Sequence, residues 1–175
     1  MRITISGPPG SGTTSLAKFL VARHGFDLIS AGEVFRSLAR ERGMDLAAFG
    51  KLAEEDASVD KMIDARQKEV GEKRDDIIIE GRLAGWMVTN ADLRIWVTAS
   101  LTCRGARVAE RDGGDPGVAA DMTAEREECE ALRYSKYYAI DIADLSPYDL
   151  VVSSEKWGKE ELGMIVTTAL EYLWK

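Results

Sequence analysis

Apolar residues fall at two different spacings along the chain, and the switches between them mark out its elements. Arg2 to Ser6 is a short β-branched run that stops at glycine, as a buried strand does. From about Gly12, Leu16, Ala17, Leu20 and Val21 recur at helical spacing, and Gly25 closes that helix. Asp27 to Ser30 reads as a second strand, followed by a helix from about Glu33 to Arg42 with Gly43 as its stop. Between Asp45 and Lys73 the chain is charge-rich, with Leu46, Phe49, Leu52, Val59 and Ile63 at helical spacing, which predicts two helices broken near Asp56. Asp76 to Glu80 is an unalternating apolar run, suited to a parallel strand covered on both faces. Leu93 to Thr98 predicts another strand, and a helix follows over about Leu101 to Arg111. Gly113 to Gly117 is the strongest loop signal, ahead of a helix from Val118 to about Tyr138. Asp149 to Val152 reads as the last strand, and Lys159 to Trp174 as a final amphipathic helix.

Strands alternating with helices predict a parallel sheet with right-handed crossovers. The chain has 175 residues and shows neither internal repeats nor a long linker, so one domain is expected. Hydrophobic residues make up 45% and charged residues 30%, as in ordinary soluble domains. Cys103 and Cys129 have no metal-like spacing, and sparse cysteine suits a reducing compartment. There is neither a secretory-type leader nor an apolar run of membrane-spanning length, so a cytoplasmic protein away from membranes is expected. A monomer is expected as well. The net charge of −7 argues against nucleic acid as a partner. An anionic ligand would have to be held by local arginines and backbone amides.

Gly7-Pro8-Pro9-Gly10-Ser11-Gly12-Thr13-Thr14 fits the phosphate-loop pattern G-x-x-x-x-G-K-[ST], except that Thr13 stands in the lysine slot. Glycines let the backbone wrap a phosphate closely, and the loop's amides then face it at a helix N-terminus. With Ser15, these residues are the expected ATP site, and the Thr14 hydroxyl is the expected magnesium ligand. The loop lies between a predicted strand and a predicted helix, which is the context the motif requires. The weak point is Thr13, because threonine offers a hydroxyl but no charge to the β- and γ-phosphates.

Other candidates cluster at predicted strand ends, where ligands sit in open α/β sheets. Ser30 to Arg36 could hold an acceptor phosphate through Arg36, or be no more than a helix cap with a solvent-facing arginine. Glu80-Gly81-Arg82 offers an acid that can orient magnesium through water, a small residue for close approach and an arginine in the same crevice. Arg104, Arg107, Arg126 and Arg133 flank the 113–117 loop and suggest a lid that closes over the phosphates. The rival reading is exposed arginines paired with Glu125, Glu127, Glu128 and Glu130. Glu130 has the spacing to join both Arg126 and Arg133. His24 reads as a capping or surface residue, the four tryptophans as core or edge packing with Trp86 near Arg82, and both cysteines as inert.

Together the residues resemble a nucleoside monophosphate kinase, and more closely the archaeal-type cytidylate kinases. The likeness covers nearly the whole chain. It runs through ISGPPGSGTTS (5–15), LISAGEVFR (28–36), IIIEGRLAGWM (77–87), DLRIWVTA (92–99), AEREECEALRY (124–134) and LSPYDLVV (145–152). The resemblance implies a three-layer α/β phosphate-loop kinase fold, with acceptor-binding helices over about 31–74 and a lid over about 104–133. It implies transfer of the γ-phosphoryl group of ATP to CMP or dCMP, with Mg2+. It places Arg36 and Arg82 at the acceptor nucleotide with Ser30 nearby, and Arg126 and Arg133 around the phosphates. Taken with the residues themselves, the expected acceptor site also has Glu80, Gly81 and Glu130, the lid Arg104 and Arg107, and the catalytic set is Thr13, Arg126 and Arg133. Glu130 stands where bacterial relatives have an acid that touches the acceptor sugar. Those relatives carry aspartate after the arginine of the Glu80-Gly-Arg82 motif, but here that place is Leu83, so their reading of cytosine does not carry over. Archaeal-type relatives share threonine in the lysine slot, and a lid arginine is the expected substitute for its charge. The alternatives are the same fold acting on AMP, UMP or a shikimate-like acceptor, and a nucleotide-binding protein with impaired catalysis.

Overall fold

The computed structural model describes residues 1–173; the side chains of Leu46, Ala47 and Glu54 are not among those described, and Trp174 lies outside. Five strands form one parallel sheet in the order β2-β3-β1-β4-β5. In chain order the elements begin with β1 (Arg2–Ser6), α1 (Thr13–His24), β2 (Asp27–Ser30) and α2 (Ala31–Glu41). Then come α3 (Leu46–Glu55), α4 (Ala57–Lys73), β3 (Ile77–Glu80) and α5 (Ala84–Met87). The remainder is β4 (Leu93–Thr98), α6 (Leu101–Asp112), α7 (Pro116–Tyr138), β5 (Leu150–Ser153) and α8 (Lys159–Leu173).

The apolar run of β3 is buried throughout, as both-face coverage requires. Ile78 faces a core built with Ile3, Leu16, Leu20 and Val166, which brings α1 and α8 onto that side. Ile77 and Ile79 face the other way, against Ala84, Val88 and Val70 of the α4–α5 side. A separate apolar cluster around Phe49, Ala39, Val59 and Ile63 ties α2, α3 and α4 together. These layers put all five carboxyl strand ends along one edge.

Several elements depart from the expected ones; α2 begins at Ala31 rather than near Glu33, and β5 lies one residue later than read. Asp76 takes a left-handed angle, φ 52°, so it turns the chain before β3 rather than opening the strand. Pro116 and Gly117 already lie in the first turn of α7, because Asp115 caps it by accepting from the Gly117 and Val118 amides. The one-turn helix α5 had no predictor, since four residues are too few to show a period. Asp56, where the sequence predicted a break, serves as C-cap of α3 and N-cap of α4.

Candidate active site

The phosphate loop leaves β1 at Ser6 and enters α1 at Thr13, with Gly7 and Pro8 buried and Pro9, Gly10 and Ser15 half-buried. Gly10 and Gly12 take left-handed angles, φ 80° and 98°. Gly10 also lies tight against α6: a Cβ there would come within 2.8 Å of the Arg104 carbonyl oxygen. Gly12 is the N-cap of α1, so no side chain caps the helix, and its first turn carries no acid. The amides of that turn stay available to an anion, which the helix dipole favours. Ser11 is already engaged, donating its amide to Pro8 O at 3.1 Å.

Two arginines of α6 grip this loop by its carbonyls. Arg104, 6% exposed, donates to Pro9 O and to Ala99 O, each at 3.1 Å. Arg107 reaches Gly10 O and Ser11 O at 3.5 and 3.4 Å, and Ser154 Oγ and O at 2.8 and 2.9 Å. Sequence reasoning grouped both with a lid over the phosphates; their guanidinium groups engage the loop backbone itself.

Glu80 is the junction of the site. Thr13 Oγ1 and Thr14 Oγ1 donate to its Oε1 at 2.7 and 3.4 Å, and Ser30 Oγ donates to its Oε2 at 2.6 Å. Strand register explains the convergence: Ser30 and Ile5 both pair with Glu80, so the ends of β2, β3 and β1 meet there. Ser30 also caps α2, accepting from the Glu33 amide at 3.4 Å. Glu80 is 8% exposed, and no Lys or Arg among the described residues pairs with it. Behind it, Gln67 donates to Glu80 O at 2.7 Å and packs against Gly81, where a Cβ would come within 2.7 Å of Gln67 Nε2.

Arg82 opens a chain of alternating charges. Its Nε donates to Glu130 Oε2 at 2.9 Å, its Nη2 lies 3.6 Å from Glu127, and its guanidinium sits 5.7 Å over the Trp96 ring. Arg82 Nη1 is buried, with no hydrogen-bond partner among the described residues. Glu127 turns its other oxygen to Arg104 at 2.9 Å, and Arg126 donates to Glu130 Oε1 at 2.8 Å. Glu130 therefore joins Arg126 as its spacing predicted, but its second partner is Arg82. Arg133 instead donates to Asp60 Oδ2 of α4 at 2.9 Å. A turn further along, the Tyr138 hydroxyl donates to Asp64 Oδ2 at 2.7 Å. Burial pushes the Asp60 carboxyl up, against the pull of the Arg133 guanidinium. Burial also pushes Asp64 up, to about 6.

Arg36 stands apart from this cluster. It is exposed on α2, folded back toward Gly32, and lines an open groove with Glu33, Ser37, Arg40 and Met44. Sequence reasoning missed Asp60 and Asp64, which looked like solvated charge on a helical face; Glu127 it offered as an arginine partner, and Glu127 does pair with Arg82 and Arg104. It watched Trp86 beside Arg82, but the ring there is Trp96, on the strand next to β1. Trp157 is 49% exposed and lines a groove with Ser153, Glu155 and Lys156, so it does not serve core packing. His24 is half-buried and shares a hydrogen bond with Thr167 at 3.2 Å, with burial pushing its ring below the usual histidine range. Cys103 and Cys129 are free thiols. No helix among the described residues is long and apolar enough to cross a membrane.

The profile of the cytidylate kinase-like family matches residues 2–156. A protein named cytidylate kinase from Methanoculleus marisnigri is 65% identical over 173 residues, covering 99% of this chain and 96% of its own. Its namesake from Methanosphaerula palustris is 63% identical, with 97% of each chain covered. The one from Archaeoglobus fulgidus is 47% identical over 98% of this chain and 95% of its own. Among solved structures, shikimate kinase from Bacteroides thetaiotaomicron superposes with a TM-score of 0.67 at 14% identity, covering 98% of each chain. A gluconokinase from Sinorhizobium meliloti gives 0.63 at 13% identity, covering 98% of this chain and 92% of its own. Those two share the fold and nothing more specific. Family profile, full-length relatives and a phosphate loop set against a second charged strand end agree: the chain belongs to the cytidylate kinase-like family.

Proposed function

We propose that this chain transfers the γ-phosphoryl group of ATP to CMP or dCMP. The observation that carries the reading is the meeting of two strand ends at Glu80, which sets an uncapped phosphate-loop helix beside Arg82. ATP phosphates bind the amides from Gly12 onward, with Arg104 and Arg107 keeping the loop in shape from its carbonyl side. The acceptor phosphate meets Arg82, whose buried Nη1 has no partner among the described residues, and Arg36 closes on it from α2. Helices α2 to α4 form the acceptor-binding part, and α7, joined at Gly113 and Gly114 to the α6 that holds the loop, carries the lid arginines Arg126 and Arg133. The Thr14 hydroxyl and the Glu80 carboxylate are oxygen donors of the kind Mg2+ takes, and the described residues hold no three-carboxylate cluster, so phosphate oxygens would complete its shell. Mg2+ bound there would supply positive charge to the phosphates.

Thr13 cannot supply charge, and its hydroxyl is turned to Glu80. Arg126 is the lid arginine best placed to replace it: its side chain is 65% exposed and only Nε is engaged, whereas Arg133 is held by Asp60. Catalysis on this reading is positioning and charge stabilisation rather than covalent chemistry. ADP release measured over a panel of monophosphates (CMP, dCMP, UMP, AMP) and shikimate at fixed ATP and Mg2+ tests it. CMP and dCMP should lead by at least tenfold. ATP binding without turnover on any acceptor would refute it.

A further inference from the structure

An acceptor site for CMP must tell a cytosine ring from uracil, and Leu83, next to Arg82, has no polar side-chain group with which to do it. The charged groups facing each other across α4 and α7 supply an answer. Glu130 and Arg133 lie three residues apart on one side of α7, about 4.5 Å along the axis. Glu130 is tied to Arg82 at the end of β3, beside the phosphate loop, and Arg133 is tied to Asp60 on α4. A line of polar groups therefore runs from the expected phosphate position at Arg82, past Glu130, to Asp60 and Arg133. A nucleotide with its phosphate at Arg82 would carry its base along that line, away from the donor.

The Asp60–Arg133 pair is only half used. Oδ2 of Asp60 accepts from Nε of Arg133 at 2.9 Å. Among the described residues, Oδ1 of Asp60 accepts no hydrogen bond, and the two Nη groups of Arg133 donate none. Both side chains are largely enclosed, 11% and 19% exposed. The pair thus presents one charged acceptor next to charged donors, in a place poor in competing water. Cytosine carries the matching edge, an N4 amino donor beside the N3 acceptor. Uracil carries the reverse, with O4 accepting and N3–H donating, so its O4 would face a carboxylate.

We infer that Asp60, braced by Arg133, is the specificity-determining residue for the acceptor base: its Oδ1 accepts from the N4 amino group of a cytosine nucleotide while Arg133 donates to the ring. This rests on the acceptor being a nucleoside monophosphate, as proposed above. A carboxylate facing the right amino group discriminates by about 10- to 100-fold, because the wrong base leaves both partners unpaired.

The test uses the full chain with ATP and Mg2+ and three acceptors: CMP, UMP and the monophosphate of 2-pyrimidinone riboside, which is cytidine without its amino group. For the parent, kcat/KM should favour CMP over the 2-pyrimidinone nucleotide by at least tenfold. In Asp60→Asn the amide oxygen stays on Arg133 and the NH2 faces the N4 amino group, donor against donor, so that ratio should fall to within about threefold of unity, while Asp60→Glu keeps a clear preference for CMP. A parent that uses the two acceptors equally well overturns the inference, as does an Asp60→Asn protein that keeps the parent's ratio. Should Asp60→Asn show no cooperative unfolding transition, the parent's own ratio decides. Failure of the kinase reading is separable: if the parent phosphorylates none of the three, calorimetric Kd values for CMP and the 2-pyrimidinone nucleotide still differ tenfold or more if Asp60 reads the amino group, and equal values overturn it.

Discussion

Replacing Asp64 by asparagine should make the protein more stable at neutral pH, which is an unusual expectation for a carboxylate that holds a hydrogen bond. Burial pushes Asp64 up to about 6 from an ordinary 3.8, the Tyr138 hydroxyl pulls against it and Asp60 adds to it. Each tenfold change in proton affinity is about 1.4 kcal/mol, so ionised Asp64 weakens the folded state by about 3 kcal/mol at pH 7.5. The Tyr138 bond to the ionised carboxylate is already contained in that figure; asparagine keeps an acceptor for Tyr138 but brings a largely enclosed NH2 group that needs a partner, which costs about 1 kcal/mol. The net gain should be about 1–2 kcal/mol, which for a chain of this length raises Tm by about 2–8 °C. The sign follows from the raised folded-state pKa. The folded protein holds this proton more tightly than the unfolded chain does, so the penalty is absent below about pH 3.8 and complete above about pH 6. The gain should therefore shrink to nearly nothing as pH is lowered from 7.5 to 4. Urea unfolding of parent and variant at both pH values, with equal m, measures it. An Asp64→Asn protein less stable than its parent at pH 7.5, or equally stabilised at both, would refute the reasoning.

Three further outcomes are expected. Thr13→Val removes the 2.7 Å donor from a buried carboxylate, and calorimetry should show a loss of about 1.5–3 kcal/mol, whereas Thr13→Ser should sit near the parent. Gly10→Ala places a Cβ at φ 80° within 2.8 Å of the Arg104 carbonyl; nucleotide titration should show ATP binding weakened by on the order of tenfold or more, with a modest fall in Tm. Arg126→Ala should lower kcat on the order of 100-fold while the Kd for ATP changes by less than about threefold, and an unchanged kcat would return the missing charge to another group.

The strands and most helix ends were legible because each carries a short-range signal. The β-branched runs of β1 and β3 and the stops at Gly25 and Gly43 need no knowledge of the rest of the chain. The phosphate loop was legible for the same reason, since its glycines and its place between strand and helix are local. What escaped were pairings across sequence distance. Asp60 and Asp64 sit in a charge-rich stretch that reads as solvated, and only the packing of α4 against α7 brings Arg133 and Tyr138 to them. Glu130 had two arginines at helical spacing, but the end of β3 delivered Arg82 first and Asp60 took Arg133. Helical spacing ranks neighbours on one helix and is blind to an arginine arriving from another element.

Glu80 has a thermodynamic consequence. One carboxylate, closed from water, accepts from Thr13 and Thr14 at the phosphate loop and from Ser30 at the end of β2. A ligand that draws a hydroxyl away from one oxygen changes how strongly the other oxygen holds its own partner. With ATP and the acceptor at the proposed sites, the two would not bind independently: whatever factor ATP imposes on acceptor affinity, the acceptor must impose on ATP. In steady-state terms the Michaelis constant for each substrate depends on the level of the other, and the linkage passes through a single side chain.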